Sequence, residues 1–498
     1  MKVLVANRGE IACRIFHTLR EMGIASVAVA TDPDRQAPHV WLADEAVALG
    51  PAEGYLDPAR ILAAARQTGA TAIHPGYGFL AQNAAFARAC RDAGVIFIGP
   101  SPEAMLALGE KRRARATAEA AGVPVIPGVA ECDTLEAARA AAKRLGYPLL
   151  IKAAGGGGGK GMRRVDAPGE LAEAFAAARR EAMAAFADDR LLVEKLIEPA
   201  RHVEVQILGD GRDAVALGER ECSLQRRYQK VIEESPSLAV GEGRKALLEE
   251  AVALARAAGY AGAGTVEFLV GPDGAHYFLE VNTRLQVEHP VTEMLTGIDL
   301  VRAQIEIAGG GPLPRPVAPR GHAIEARLYA EDPYRDFLPS SGKILMLEWP
   351  VRPWVRIDAG IREGTEVSPF YDPLLAKLVA WGGNREEARR RLAAALRETT
   401  LLGLTTNQSF LLDVVESDFF IRGETFTRTL ESRSWAEPEA PEEVRRVARE
   451  AAREAMTAMT AMAASLGASD GTVTPGGEWV DRYSPWGSLG RFRMGAGT

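Results

Sequence analysis

Five glycines in succession, residues 155–159, interrupt a stretch that reads YPLLIKAAGGGGGKGMRRVD. A run without Cβ atoms loses more backbone freedom on ordering than any other sequence and contributes nothing to a core, so its flanks decide what it becomes. PLLI precedes it and MRRVD, with strand character, follows, so a β-hairpin with an almost bare tip is expected. The spacing GxGxxG at Gly156, Gly158 and Gly161 invites a dinucleotide fold, but that fingerprint needs a helix after the glycines, whose N-terminus meets the pyrophosphate. The P-loop pattern fails as well, because Ala154 occupies the place of its first glycine and Gly161 that of its Ser or Thr. A merely floppy hairpin tip would look the same in isolation. The reading left is a flap whose bare N–H groups can lie down on the phosphates of ATP.

Around the flap the chain alternates strand-like and helix-like segments. KVLVANRGEIACRIFHTLREMG reads as a buried strand, a glycine turn and an amphipathic helix, and ASVAVATD, TAIHPGYG and VIFIG continue as strands between helical stretches. Residues 1–110 are therefore expected to form a doubly wound α/β domain on a parallel sheet. The turn signals GVPVIPG and LLVEKLIEP bracket a small linker-and-lid unit, residues 111–196. Alternating runs (HVEVQIL, AVALGERE, TVEFLV, HYFLEVN) make residues 197–310 an α+β part, and the Pro-rich PLPRPVAPR leads into a mixed α+β domain over 311–435. Residues 436–498 shift to Ala, Glu, Arg and Met and then to Gly, Trp and Tyr, as expected of an appended helix and an irregular arm.

Composition excludes several functions. A net charge of -7, with Lys and Arg scattered among acids, offers no basic field for a nucleic acid. The four cysteines, Cys13, Cys90, Cys132 and Cys222, are far apart and include no CxxC, so neither a disulfide framework nor a zinc site is expected. Asn7, Arg8 and Glu10 break the first apolar run before it could act as a secretory segment, and no apolar stretch reaches the roughly 18 residues of a spanning helix. The expectation is a cytoplasmic protein without a membrane anchor.

The densest chemistry lies in TVEFLVGPDGAHYFLEVNTRLQVEHP, which has the form of a hairpin turning between Gly271 and Gly274. Glu267 sits on one strand, Glu280 and Asn282 on the other. Side chains two apart share a face, so Glu280, Asn282, Arg284, Gln286 and Glu288 point one way for as long as the chain stays extended. Two carboxylates and an amide oxygen are hard ligands of the kind Mg²⁺ prefers beside nucleotide phosphates. Arg284 and Gln286 add donors for a small oxyanion, and Glu288 adds a potential base. A solvated polar strand face would alternate in the same way, though rarely with five functional groups in one row.

These segments resemble the biotin carboxylases of the ATP-grasp superfamily over about residues 1–435. The resemblance is carried by VANRGEIA, AIHPGYGFL, IKAAGGGGGKGM, RHVEVQIL, ERECSLQRRYQKVIEE, GAGTVEFL, FLEVNTRLQVEHPVTEMLTG and GHAIEARLYAEDP, in that order. It implies a pre-ATP-grasp domain, an ATP-grasp lid and catalytic domain, and a C-terminal carboxylase domain. It implies that Lys111, Lys152 and the lid residues Gly157, Gly158 and Gly159 meet ATP phosphates, that Glu194, Lys195 and Ile197 form the adenine hinge, and that His202 and Gln225 add nucleotide contacts. Glu267, Glu280 and Asn282 would hold Mg²⁺ or Mn²⁺. Lys230, Arg284, Gln286 and the Val287 N–H would bind bicarbonate, with Glu288 as its base, and Tyr77 and Arg327 would border biotin, Arg327 stabilising its enolate-like oxygen.

The implied partners are a biotin carboxyl carrier protein and carboxyltransferase subunits of an acetyl-CoA or other acyl-CoA carboxylase, as in fatty acid biosynthesis, together with a second copy of the chain. The biotin carboxylase subunit of a pyruvate carboxylase, another ATP-grasp ligase, and a nucleotide-binding regulatory subunit stand as alternatives. EAMTAMTAM contains no Met-Lys-Met, so biotin is expected to arrive on a separate chain, and WVDRYSPWGSLGRFRMG resembles the stretch that follows this domain in longer acyl-CoA carboxylase subunits. The sequence departs from the family at Gln82, where Glu is common, at Tyr228, where His is common, and at His17, which replaces an Arg beside Arg14 and Glu21 at the dimer contact.

Overall fold

Strand β1 (Lys2–Val5) buries its last three residues, as a central parallel strand must. In the computed structural model it lies between β2 (Ala25–Thr31) and β4 (Ala72–His74), with β3 (Glu45–Gly50) beyond β2 and β5 (Ile96–Phe97) beyond β4, every pairing parallel. Helix α1 (Gly9–Glu21) follows β1 and buries Ile11, Ala12, Ile15, Phe16 and Leu19, a stripe at helical spacing. The order β3-β2-β1-β4-β5 reverses between β1 and β4, which is where doubly wound sheets open a crevice. Asn7 closes that point by donating from Nδ2 to the carbonyls of Pro75 (2.7 Å) and Tyr77 (2.6 Å).

The structure describes residues 1–129, 132–153, 162–186, 188–227 and 229–437, then 439, 442, 446, 449, 450, 453, 456 and 457. The chain divides into Met1–Ala436 and Glu437–Thr498. In the second unit the residues from 442 to 457 that are described are helical, and the Trp- and Tyr-rich arm lies outside the described residues.

A four-stranded sheet of order β6-β9-β7-β8 forms the lid: β6 (Gly128–Val129), β7 (Leu149–Ala153), β8 (Arg163–Val165) and β9 (Leu191–Lys195). Leu149 pairs with Val165, so β7 and β8 make the expected hairpin. Its tip, residues 154–161, lies outside the described residues.

The largest sheet has eight strands, all antiparallel: β14 (His276–Asn282), β13 (Ala261–Val270), β10 (Arg201–Asp210), β11 (Ala214–Arg226), β12 (Gln229–Ser235), β15 (His322–Tyr329), then Leu374–Gly382 and Val355–Ala359. At one end Val203, Val205, Val266 and Phe268 pack under the helix Arg244–Ala257; at the other Ile324 and Leu378 pack with the helices Arg385–Glu398 and Gln408–Glu416. The irregular residues 311–320 carry the chain from one half to the other without interrupting this sheet. Gly360 approaches α1 so closely that a Cβ there would collide with the Glu10 backbone nitrogen. Arg14, expected at a contact between copies, is buried and pairs within the chain with Glu293 (3.0 Å) and Asp299 (2.8 Å). Among the described residues no helix is long and apolar enough to cross a membrane.

Two histidines make the N-terminal sheet acid-sensitive. His39 and His74 are 0% exposed, and burial pushes their pKa down from 6.5 to about 4 and about 3. Between pH 6.5 and 4 the unfolded chain then binds more protons than the folded one, so stability falls as pH falls through that window. At pH 5 the loss from His39 is about 2 kcal/mol. The His39→Gln variant is expected to lose less stability than the parent between pH 7 and pH 5, read as the shift in urea midpoint; equal losses would exclude His39 as a cause.

Candidate active site

Alternation along β10 sets the polar face of the large sheet. Val203, Val205 and Ile207 enter the apolar core, so His202, Glu204 and Gln206 face the other way. Register places Glu204 opposite Glu267 on β13, Glu267 opposite Glu280 on β14, and Glu204 opposite Arg220 on β11. Three carboxylates and a guanidinium therefore stand abreast on four neighbouring strands. Like charges placed opposite one another repel, and burial deepens the penalty, so the row persists only if cations meet it.

Lys230, from β12, is the central cation: its Nζ lies 2.6 Å from Glu204, 2.9 Å from Glu267 and 2.7 Å from Glu288. Burial works against its charge, yet the three carboxylates outweigh burial and raise its pKa well above the ordinary value. Arg220, 0% exposed, donates to Glu204 (2.7 Å), Gln206 (2.8 Å) and Thr292 (2.8 Å). On the other side Arg327 bridges Glu233 (2.6 Å) and Glu288 (2.9 Å). Burial alone would raise the Glu288 carboxyl, but Lys230, Arg327 and Arg220 together hold it well below the carboxylate range.

The expected alternating row does not run on to Glu288, because β14 ends at Asn282 and Glu288 has become the residue preceding the helix His289–Thr296. The groups converge nevertheless, through hydrogen bonds in the intervening turn. Arg284 donates to Asn282 Oδ1 (3.2 Å), Gln286 Oε1 (2.9 Å) and Gln82 Oε1 (2.9 Å), and Gln286 Nε2 reaches Glu267 (3.1 Å). Gln82 thus touches the Arg284 guanidinium, and an amide there leaves that cation less neutralised than a carboxylate would. The Val287 carbonyl accepts from Lys377 Nζ at 2.9 Å, and Lys377 also pairs with Glu10 at 3.0 Å. Glu10 in turn accepts from the Tyr77 hydroxyl, which ties the β4 loop to the same turn.

At the other end of the row, Glu280 has its pKa raised by burial and by Glu267 opposite. Asn282 donates from Nδ2 to Glu267 at 2.7 Å, and His202 Nε2 lies 3.0 Å from Glu267 with Nδ1 against Gln225 Nε2 at 2.5 Å. Two hard carboxylates and an amide, with negative charge in excess, fit a divalent cation. Lys111 begins the helix Lys111–Ala120, exposed, and its charge reaches Glu280. Lys152 on β7 is held by Glu194 at 2.6 Å, and Arg115 shares that carboxylate at 3.1 Å. Lys195 spends its backbone N–H on Pro127 (2.8 Å) and its Nζ on Tyr147 (2.8 Å), while Ile197 lies half-buried just past β9. Gly157, Gly158, Gly159 and Tyr228 lie outside the described residues.

Sequence reasoning missed Glu204, Arg220, Glu233, Glu10 and Lys377. For Glu204 a signal existed: a polar residue at every second position of an apolar run marks a polar sheet face, and HVEVQIL carries it, whereas Arg220 lies between two glutamates, where no alternation shows. Glu10 and Lys377 meet across 367 positions of sequence, and local pattern holds no trace of that.

Comparison with known proteins finds relatives for most of the chain. Family models match along the chain: biotin carboxylase, N-terminal domain, at residues 1–105; carbamoyl-phosphate synthase L chain, ATP binding domain, at 110–315; and biotin carboxylase C-terminal domain at 325–432. The mitochondrial propionyl-CoA carboxylase alpha chain of Sus scrofa is 48% identical over 443 residues, which cover 86% of this chain and 60% of that one. The chain therefore spans about three-fifths of that relative's length. The biotin carboxylase of Nostoc sp. is 48% identical over 435 residues, 86% of this chain and 97% of its own. Among solved structures, the biotin carboxylase domain dimer of Hydrogenobacter thermophilus 2-oxoglutarate carboxylase, in complex with MgADP, ADP and bicarbonate, superposes with a TM-score of 0.82 at 42% identity, covering 88% of this chain and 99% of that one.

Removing the Lys230 cation takes from Glu204, Glu267 and Glu288 the one charge they share, leaving Glu204 to Arg220, Glu288 to Arg327, and Glu267 to His202, Asn282 and Gln286. The Lys230→Met variant is expected to lose about 3–5 kcal/mol of stability, as buried pairs do when one partner is deleted. Denaturant unfolding measures it, and a variant as stable as the parent would show that the acids are relieved some other way.

Proposed function

The chain belongs to the biotin carboxylase family, and from that premise we propose that it uses ATP and bicarbonate to carboxylate biotin carried on a polypeptide segment outside these residues. The observation that carries this reading is the placement of Glu288, clamped between Lys230 and Arg327 at 2.7 and 2.9 Å, one step from the acid row. A carboxylate so strongly stabilised is a poor base. It becomes a good one when bicarbonate draws away Lys230 and biotin draws away Arg327, so the base is activated only when both substrates are present.

In the proposed reaction Lys230, Arg284, Gln286 and the Val287 N–H hold bicarbonate while Glu288 takes its proton. The bicarbonate oxygen bonds to the γ-phosphorus and ADP leaves, giving carboxyphosphate. Carboxyphosphate splits to CO₂ and phosphate, phosphate removes the biotin N1 proton, and N1 attacks CO₂. Arg327 holds the negative oxygen that develops on biotin, with Tyr77 at its border. Glu267, Glu280 and Asn282 would hold Mg²⁺ or Mn²⁺, which when bound offsets phosphate charge. Lys111, Lys152, Glu194, Lys195, Ile197, His202 and Gln225 would seat the nucleotide beneath Gly157, Gly158 and Gly159. Lys152 must exchange Glu194 for phosphate to do so.

The proposed division runs 1–110, 111–196, 197–310 and 311–435, with 436–498 appended. An acyl-CoA is the proposed final acceptor, supported by the propionyl-CoA carboxylase relative and by the tail's likeness to longer acyl-CoA carboxylase subunits. Carrier and carboxyltransferase partners, a homodimer and a cytoplasmic setting belong to the same proposal. Acetyl-CoA, and with it fatty acid biosynthesis, is one choice within that class; pyruvate or 2-oxoglutarate is the rival supported by the structural neighbours.

Glu288→Gln and Arg327→Ala are each expected to abolish carboxybiotin formation and bicarbonate-dependent ATP hydrolysis stimulated by biotin. ATP affinity should stay close to that of the parent in both. Full carboxylation by either variant would remove the mechanism.

A further inference from the structure

Glu325 precedes Arg327 by two residues on β15, so the two side chains share a face of the sheet. It is 0% exposed, and neither of its carboxyl oxygens has a hydrogen-bond partner in the structure. Its cross-strand neighbour on β12 is Glu233, also 0% exposed, whose Oε2 is likewise buried without a partner. The other oxygen of Glu233, Oε1, takes the Arg327 guanidinium at 2.6 Å.

The cations nearby are committed elsewhere. Arg327 bonds Glu233 and Glu288, and Lys230 bonds Glu204, Glu267 and Glu288. Lys377, opposite Arg327 on the strand Leu374–Gly382, bonds the Val287 carbonyl and Glu10 and lies 3.6 Å from Asp358. At the start of the covering helix, His289 uses Nδ1 on the Gln286 carbonyl at 2.7 Å. Two ionised carboxylates facing each other across a strand pair, both shielded from solvent, repel strongly. A single proton converts that repulsion into a hydrogen bond, because a carboxylic acid donates where a carboxylate only accepts. Burial and the charge opposite push in that direction: Glu325 is raised well above the carboxylate range, and burial raises Glu233 to about 7.

We propose that Glu325 carries a proton and donates it to Glu233 Oε2, so that the two carboxyls form one singly charged support for the Arg327 guanidinium. Glu325 is a positioning residue, acting on Arg327 through Glu233, and its proton stays in the pair throughout turnover. One negative charge matches one guanidinium and leaves the far edge of Arg327 free to move between Glu288 and substrate. Two negative charges would hold the guanidinium back. That Arg327 works on biotin rests on the function proposed above; that Glu325 holds a proton does not.

Infrared spectroscopy on the full chain tests the proton directly. The difference spectrum between the parent and Glu325→Gln should show the C=O stretch of a buried carboxylic acid in the parent alone. Kinetics test its purpose. Glu325→Gln keeps an N–H donor toward Glu233 and should carboxylate biotin at close to the parental rate, whereas Glu325→Leu should lose about 100-fold in kcat with KM for ATP unchanged, the scale of a catalytic group misplaced by about 1 Å. An acid band that survives in Glu325→Gln overturns the proposal. So does a Gln variant as impaired as Leu, or a Leu variant as active as the parent. Should the parent itself fail to carboxylate biotin, the functional reading falls and the band still decides the proton.

Discussion

Placing three glutamates side by side, two of them buried and the third half-buried, is the constraint from which the rest of the site follows. Glu204, Glu267 and Glu280 are adjacent because strand register makes them so, and the chain cannot relax that without losing the sheet. The groups that meet them supply positive charge or an N–H: Arg220 and Lys230 within the sheet, His202 on the same strand face, Asn282 from the end of β14 and Gln286 from the turn after it. Repulsion is met in full near Glu204 and only in part near Glu280, whose carboxyl stays raised. The unequal coverage gives the row a direction. One end is structural and closed, and the other has negative charge to share with a cation.

A second consequence concerns Glu288. Its two cationic partners come from different strands, Lys230 from β12 and Arg327 from β15, and each is also bonded to a further carboxylate, Lys230 to Glu204 and Glu267, and Arg327 to Glu233. No single side chain therefore carries the clamp, and either cation can turn toward a ligand while remaining anchored to its second partner. Networks of this kind are worth more than a sum over pairs and are hard to dissect one residue at a time.

Much of this was legible before any coordinates. The β7–β8 hairpin, the hairpin turning at Gly271–Gly274 and the parallel N-terminal sheet follow from period-two patterns and turn residues, which are local signals. The pairing of Glu267 with Glu280 was not readable in this way: the register of the turn would set Glu267 opposite Leu279, and a bulge between Glu267 and Phe268 shifts it to Glu280. The turn from Thr283 to Val287 was not readable either, because alternation predicts an extended chain, whereas the strand stops at Asn282 and a helix begins at His289. Nor was the part played by Glu10, which depends on Gly360 letting the C-terminal strands press against α1. Contacts between distant segments leave no periodicity to read.

The eight-stranded sheet also acts as a ruler. Because β12 and β15 are hydrogen-bonded neighbours, the interval between Lys230 and Arg327 is set in whole residues, at about 3.4 Å each along a strand. A slip of one would turn Arg327 to the opposite face, and a slip of two would overshoot by nearly 7 Å. Spacing between these two cations is thus quantised and cannot drift gradually as sequences diverge. Adaptation to different acceptors or assemblies has to be written into the loops at the rim, where lengths vary freely and the gauge beneath them is left untouched.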